Sequence, residues 1–266
     1  MKKAIYTILG IYTLACLALF CLQRHLLYFP DQSAFEDCKL NTAIHGTKSS
    51  SQSSQNEWRY YKLAENAHPT QLVIFFHGNA GRACDRDYLA KELVDAKTEL
   101  WLFEYPGFSE TDHKKNDPSE ERILISVKAL VDEVVLKEKF AKIYFMGESL
   151  GTGVATYAST LIKNSGLILF SPYTSIANVA QSHYPVFPVK LLVIDKFNAA
   201  DWAANTQSEK ALLFHSKKDN VIPFEIGEAQ SKNLSIPSDF IPNTDRNHND
   251  LLLDNPDLWN QVREFL

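Results

Sequence analysis

A serine flanked by glycines, in the sequence GESLG at residues 147–151, stands where an apolar run ends and a run of small residues begins. The apolar run predicts a buried strand and the following residues predict a helix, so Ser149 lies at a strand-to-helix junction. Glycine at both flanking positions removes the Cβ atoms that would block a sharp turn. An ordinary glycine-rich connection has the same pattern. The catalytic interpretation requires that the chain also supply partner residues for the serine in the right order.

Two backbone amides are predicted to face the hydroxyl of Ser149. The N–H of Leu150 opens the helix, where free amides favour an anion. The second is the N–H of Asn79, within the sequence HGNAG that follows the apolar strand QLVIFF. Such a pair can bind the negative charge that develops on an acyl oxygen, as an oxyanion hole. A phosphate-binding loop is the alternative for these glycines, but neither a G-x-G-x-x-G nor a Gly-Lys-Ser/Thr sequence is present.

The predicted acid is Asp219, in a loop directly after the apolar strand KALLFH. A single aspartate in a loop usually forms a turn, so its position in the chain carries the assignment. A hydrolase with this serine motif requires the order serine, acid, histidine. Of the eight histidines only His248 follows Asp219. Elimination therefore leaves His248 as the predicted base.

These three side chains predict nucleophilic catalysis. A serine hydroxyl is a weak nucleophile, so His248 would take its proton during attack and return it to the leaving group. Asp219 would orient the imidazole and stabilise its charged form. Because no His, Asp and Glu residues have the spacing of metal ligands, neither a metal nor another cofactor is expected.

The N-terminus predicts a membrane anchor over residues 1–25. Residues 4–22 carry no charge, and as a helix they would extend roughly 28 Å, close to the hydrocarbon thickness of a bilayer. A cleaved signal peptide and a lipidated form starting at Cys16 are the alternatives. Lys2 and Lys3 favour a cytoplasmic N-terminus with the catalytic domain on the far side, although Arg24 weakens this preference.

Composition limits the function classes. The net charge is −5 with both signs interspersed, so no basic surface for nucleic acid is expected. The four cysteines, at positions 16, 21, 38 and 84, lack metal-site spacing. Cys38 and Cys84 could pair in an oxidising compartment, but the sequence leaves this open.

Beyond the anchor, apolar strands alternate with helices, which predicts one α/β domain over residues 58–266 with a mostly parallel sheet covered on both faces. Residues 26–57, which include a Ser/Gln-rich tract from Asn41, are predicted to be a flexible linker. Helices are predicted over residues 84–96 and from a cap at Asp117. Residues 173–205 form a lid-like insertion, and Phe187 and Trp202 within it could line an acyl pocket or simply pack on the core.

Several short sequences, in this order, resemble the α/β-hydrolase superfamily, and within it the membrane-anchored α/β-hydrolase-domain proteins with an HGNAG oxyanion loop. They are RHLLYFP, FFHGNAG, EYPGFSE, GESLGTGVA, SPYTSI, the Asp219 loop and HND at residues 248–250. The resemblance implies the α/β-hydrolase fold and hydrolysis of acyl esters or thioesters, by an esterase, lysophospholipase or depalmitoylase. Ser216 departs from the glycine usual in the family, and the Ser/Gln tract replaces an early strand hairpin.

The expected function is therefore that of a membrane-anchored serine hydrolase. Its substrate would be an acyl ester or thioester, with a lipid or an acylated protein as the acyl donor. A peptidase on the same scaffold is one alternative. A hydrolase fold without catalysis, used as a binding module, is another, and the intact set of Ser149, Asp219 and His248 argues against it.

Overall fold

The computed structural model describes residues 1–40, 45–51, 57–66, 68–109 and 117–266. An eight-stranded sheet has the order β10-β9-β8-β7-β4-β6-β3-β2, and a small parallel pair joins β1 to β5. The strands are β1 (Phe29–Pro30), β2 (His45–Ser51), β3 (Trp58–Ala64), β4 (Gln71–Phe76), β5 (Ala80–Gly81), β6 (Thr98–Glu104), β7 (Lys142–Glu148), β8 (Gly166–Phe170), β9 (Ala211–Ser216) and β10 (Ser238–Asn243). The six strands from β10 to β6 run parallel, whereas β3 pairs antiparallel with β6, and β2 pairs antiparallel with β3. The predicted mostly parallel sheet is confirmed.

Helices cover both faces of this sheet. They are α1 (Lys2–Leu27), α2 (Ala90–Leu93), α3 (Glu120–Glu133), α4 (Leu150–Ala158), α5 (Ile176–His183), α6 (Val189–Leu192), α7 (Ala199–Ala203), α8 (Phe224–Asn233) and α9 (Pro256–Phe265), with 3₁₀ turns at Phe35–Asp37, Ala83–Leu89 and Val135–Lys137. Alternate residues of β4 enter opposite cores: Ile74 packs with α3 and α4, and Val73 packs with α2 and α9. This is why the central strands are apolar throughout rather than alternating.

Two predicted helix boundaries were wrong. The helix predicted over residues 84–96 is mostly a 3₁₀ turn followed by the single turn α2, and Asp85 at its start accepts from the amide of Arg82. The cap of α3 is Ser119 rather than Asp117, because the Ser119 hydroxyl accepts from the amide of Arg122. Pro118 consequently precedes the helix.

The prediction that the Ser/Gln-rich tract is a flexible linker is wrong for those of its residues that the structure describes. His45–Ser51 form β2, an edge strand paired antiparallel with β3 along its whole length. The ladder uses backbone groups alone, so a polar strand can pair, and polar residues protect a sheet edge from further pairing. The rest of the tract, residues 41–44 and 52–56, lies outside the described residues.

A disulfide joins Cys38 to Cys84 and closes a loop across 46 positions of sequence. Both cysteines are buried in the core that also contains Phe35 and Leu89. The bond therefore ties the chain that precedes β2 to the segment that follows β5.

We expect Cys38→Ser to lower the free energy of unfolding by about 4 kcal/mol, because the bridge restricts a long loop in the unfolded chain. Denaturant unfolding of the detergent-solubilised protein measures this. Cys21→Ser is the matched control, since Cys21 is a free, exposed cysteine of α1. Equal midpoints for the two variants would show that the bridge does not form in solution.

Among the described residues, one helix is long and apolar enough to cross a membrane, namely α1 (Lys2–Leu27). No residue of this helix is buried. A bilayer accommodates a long apolar helix without buried residues, whereas water does not.

Candidate active site

Ser149 occupies a strained turn between β7 and α4. Its φ is 49° and its ψ is −120°, outside the regions that an L-residue ordinarily adopts. A Cβ on Gly147 would overlap the carbonyl oxygen of Gly151, and a Cβ on Gly151 would overlap the carbonyl oxygen of Phe76. The two glycines thus let α4 start immediately after β7 and against β4. Strain of this kind is concentrated at functional sites.

Three side chains from three loops form one hydrogen-bonded chain. Nε2 of His248 lies 3.0 Å from Oγ of Ser149, and Nδ1 of His248 lies 2.7 Å from Oδ2 of Asp219. The geometry suits an imidazole whose Nδ1–H donates to the carboxylate while Nε2 accepts from the hydroxyl. The structure therefore brings together the serine, acid and histidine predicted from their order in the sequence.

The side chain of Asp219 is buried, and its second oxygen is also hydrogen-bonded. Oδ1 accepts from the amides of Val221, at 2.9 Å, and Ile222, at 2.7 Å. Burial alone would raise the pKa of Asp219, but the hydrogen bond from His248 and those from the two amides outweigh it and lower the pKa. The carboxylate is thus ionised and fixed in orientation at neutral pH.

Two further residues support the acid and base loops. His215 donates from Nε2 to the carbonyl of Ile222, and burial lowers its pKa, so it is neutral beneath Asp219. The Ser216 hydroxyl donates to the carbonyl of Arg246, two residues before His248, and accepts from the amide of Lys218 at 3.0 Å. Ser216, which stands where the resembling family usually has glycine, therefore links the Asp219 loop to the His248 loop.

The loop that carries Asn79 lies against Ser149, since a Cβ on Gly78 would be 3.7 Å from the Cβ of Ser149. Leu150 is the first residue of α4. Within the described part of the chain, the amides of Asn79 and Leu150 donate no hydrogen bond. Both therefore remain available to a bound oxyanion.

The Asn79 loop is held by the residues that directly follow α1. The amide of Phe29 donates to the carbonyl of Asn79 at 2.8 Å, and the amide of Asp31 donates to Gly81 at 3.1 Å. The Asn79 side chain in turn donates from Nδ2 to the carbonyl of Leu27, at 2.7 Å. These contacts, which the sequence did not suggest, make the end of α1 and strand β1 part of the site's framework.

Glu148, inside the serine motif, fixes the same loop from the other side. Its Oε1 accepts from the amide of Gly78 at 3.0 Å and from Nε of Arg86 at 2.7 Å. Burial would raise the pKa of Glu148, but the charge of Arg86 and the hydrogen bonds lower it. This ion pair could not be predicted from the sequence, because residues 62 positions apart give no periodic signal.

Ser149 opens into a cavity of about 320 Å³. Its walls combine polar groups around Ser149 with apolar side chains, namely Phe29, Tyr88, Phe170, Val221, Leu251 and Leu252. Phe187 and Trp202 are absent from these walls. Trp202 instead packs on Tyr157 and Phe187 on Tyr12. The acyl pocket suggested for the insertion at residues 173–205 is therefore not at Ser149.

Comparisons with known proteins agree with this fold. Residues 67–197 match the family described as Hydrolase_4, serine aminopeptidase, S33. A putative alpha/beta hydrolase of Acanthamoeba polyphaga mimivirus is 30% identical over 230 residues, covering 82% of each chain. An esterase of Pyrococcus furiosus superposes with a TM-score of 0.64 at 15% identity, over 90% of this chain and 96% of the esterase. The chain belongs to the α/β-hydrolase superfamily.

A lysophosphatidylserine lipase, ABHD12, of Danio rerio is 29% identical over 236 residues, or 79% of this chain. The match spans only 60% of that lipase. These relatives confirm the predicted superfamily and enzyme class, a serine hydrolase acting on ester bonds.

Proposed function

We propose that this protein is a membrane-anchored serine hydrolase that cleaves the acyl ester or thioester of a lipid or an acylated protein. The observation that carries the proposal is the chain of hydrogen bonds from Asp219 through His248 to Ser149, at the wall of a half-apolar cavity. The likeness to a lysophosphatidylserine lipase supports a lipid ester among these substrates.

Catalysis proceeds in two steps, acylation of Ser149 and hydrolysis of the acyl-enzyme. His248 removes the proton of Ser149 as its Oγ attacks the acyl carbon, and the amides of Asn79 and Leu150 bind the resulting oxyanion. Collapse of this tetrahedral intermediate breaks the bond to the leaving alcohol or thiol, which takes the proton from His248. The acyl group remains on Ser149 as an ester. Water, deprotonated by the same histidine, then hydrolyses that ester and restores the serine. Asp219 stabilises the imidazolium formed in each half.

The apolar walls of the Ser149 cavity should make turnover depend on acyl-chain length. Each methylene buried in the transition state contributes about 0.8 kcal/mol, so kcat/KM should rise roughly fourfold per carbon until the cavity is full. We expect Phe29→Ala to flatten this dependence, because Phe29 lines the cavity. Phe187→Ala, outside the cavity walls, is the matched control.

A series of p-nitrophenyl esters below their micelle concentrations measures this dependence. Thioesters, lysophospholipids and aminoacyl amides of the same chain lengths complete the panel. A maximum at acetate that neither variant alters would refute the acyl-binding role of the cavity. Aminoacyl amides as the best substrates would favour a peptidase, the alternative that the family description supports.

The proposed location is a membrane, with α1 as an uncleaved single-pass anchor ahead of the catalytic domain. Lys2 and Lys3 support a cytoplasmic N-terminus. The disulfide between Cys38 and Cys84 supports a catalytic domain on the opposite, oxidising side.

We expect the full chain to stay in the membrane fraction during carbonate extraction, because 26 helical residues exceed the length needed to span a bilayer. A chain starting at Leu26 should partition into the soluble fraction or be released by mild detergent. Mass spectrometry of the mature N-terminus provides the control for processing. A start at or beyond Cys16 would contradict the uncleaved anchor.

A further inference from the structure

The insertion after β8 contacts α1 in the middle of the helix. We call residues 184–194 the cap tip. The hydroxyl of Tyr12 donates to the carbonyl of Val186 at 3.0 Å, and the Tyr12 ring stacks on Phe187 with centroids 5.6 Å apart. The cap tip therefore lies beside α1 and not only beside its C-terminal end.

Polar contacts hold the other end of the interface between α1 and the insertion. Gln23 donates to the carbonyl of Leu192 at 3.2 Å and accepts from the amide of Ile194 at 2.7 Å. Arg24 forms an ion pair with the buried carboxylate of Asp195, at 2.9 Å. These groups begin where the charge-free run of α1 ends, so they lie at the membrane surface if α1 spans the bilayer.

The position of Tyr12 sets the depth of the cap tip. Tyr12 lies ten residues before Leu22, the end of the charge-free run, which is roughly 15 Å along a helix. If α1 spans the bilayer, Val186 and Phe187 must lie at the same depth as Tyr12, near the middle of the hydrocarbon.

The side chains of the cap tip suit that environment. Leu191 is 85% exposed and Val186 is 72% exposed, and Tyr184 and Ile194 are also exposed. Lys190 is the only charged residue of the cap tip. A single lysine near the membrane surface can extend its ammonium group to the headgroups.

Most backbone N–H groups of the cap tip have an acceptor within the protein. Lipid offers no partner to a free backbone group, so irregular segments are normally excluded from it. Here Pro185 and Pro188 have no N–H, and Nε2 of Gln181 lies within 3.4 Å of the carbonyls of Tyr184, Pro185 and Phe187. Of the nine N–H groups in the segment, seven donate within the protein, those of Tyr184, Phe187, Val189, Leu191, Leu192, Val193 and Ile194. The N–H groups of Val186 and Lys190 donate to no residue that the structure describes.

We propose that the cap tip is a membrane-inserting wedge, which enters the leaflet on the catalytic side and packs against α1. The proposal rests on the membrane anchoring proposed above. The wedge orients the domain, so that the Ser149 cavity opens at the bilayer surface. Phe29, an exposed wall of that cavity, follows α1 by two residues and lies at this surface. Acyl chains then reach Ser149 directly from the leaflet.

Depth-dependent fluorescence quenching tests the wedge. In a Cys16→Ser, Cys21→Ser background, bimane is attached at Leu191→Cys in the wedge, at Leu14→Cys in α1, or at Leu136→Cys. Leu136 is the matched control, an apolar residue 60% exposed beyond α3. The proteins are reconstituted in phosphatidylcholine vesicles that contain lipids with a doxyl group on the acyl chain.

We expect strong quenching at positions 14 and 191, and at least threefold weaker quenching at position 136. Quenching at 14, with equal weak signals at 191 and 136, would overturn the wedge while the anchor stands. Weak quenching at all three positions would overturn the anchor and the wedge together. Fluorophosphonate labelling of the same samples reports separately on the active site.

A functional comparison separates insertion from folding. We expect Leu191→Asp to lower hydrolysis of a long-chain ester embedded in vesicles by about tenfold, since a carboxylate opposes insertion. Hydrolysis of soluble p-nitrophenyl acetate should stay unchanged, and Leu136→Asp should alter neither rate. Equal vesicle rates for the two aspartate variants would refute the wedge.

Discussion

Ser149→Ala should lower kcat/KM for ester hydrolysis by about a millionfold, because the acyl-enzyme can no longer form. His248→Ala should lose about as much, and the double variant should be little worse, since the two groups act as a unit. Asp219→Ala should lower kcat/KM by less, on the order of ten-thousandfold. Steady-state kinetics on a soluble p-nitrophenyl ester measures all four proteins.

The matched control is Ser171→Ala. Ser171 lines the same cavity and is also held at a positive φ, of 53°. Its buried hydroxyl has no hydrogen-bond partner among the residues that the structure describes. Its loss should change kcat/KM by no more than a few fold. If Ser149→Ala kept substantial activity, or if Ser171→Ala lost as much, the assignment of the nucleophile would be wrong. An unaffected Asp219→Ala variant would mean that another carboxylate orients His248.

Phe29→Pro should lower kcat by up to about 10²–10³-fold with a smaller change in KM. Proline has no N–H, so the hydrogen bond from Phe29 to the carbonyl of Asn79 would be lost and the Asn79 amide would shift from the oxyanion. The preceding residue, Tyr28, already has the extended conformation that proline requires, with φ −106° and ψ 131°.

Phe29→Ala is the control, because it removes the same side chain and keeps the amide. Both variants should be assayed on p-nitrophenyl acetate, whose short acyl group makes little use of the cavity wall, and their melting temperatures compared. Equal kcat values at equal stability would show that strand β1 does not position the oxyanion hole.

Much of the central sheet could be predicted from sequence. Strand β4 is apolar over most of its length because both of its faces are buried, and its bounds are those predicted from the sequence QLVIFF. The glycines around Ser149 and the position of His248 after Asp219 were enough to select three residues that meet in space. The steric requirements of a turn and the order of residues along the chain can be inferred directly from a sequence.

Contacts between distant segments were not predictable. Strand β2 is polar because a sheet edge needs only backbone partners, and β1 is two residues long, so neither has a hydrophobic pattern. The ion pair of Arg86 with Glu148 and the contacts of α1 with the cap tip depend on tertiary packing. For the same reason, the sequence could not decide between an acyl pocket and packing elsewhere for Phe187 and Trp202.

The site at which the enzyme is covalently modified tests the role of Ser149 as nucleophile most directly. The full-length protein in detergent is treated with a fluorophosphonate, digested, and sequenced by tandem mass spectrometry. We expect a single stoichiometric adduct on Ser149, which is absent when the protein is denatured with acid before treatment. An adduct on another residue, or an active ester hydrolase without an adduct on Ser149, would contradict it.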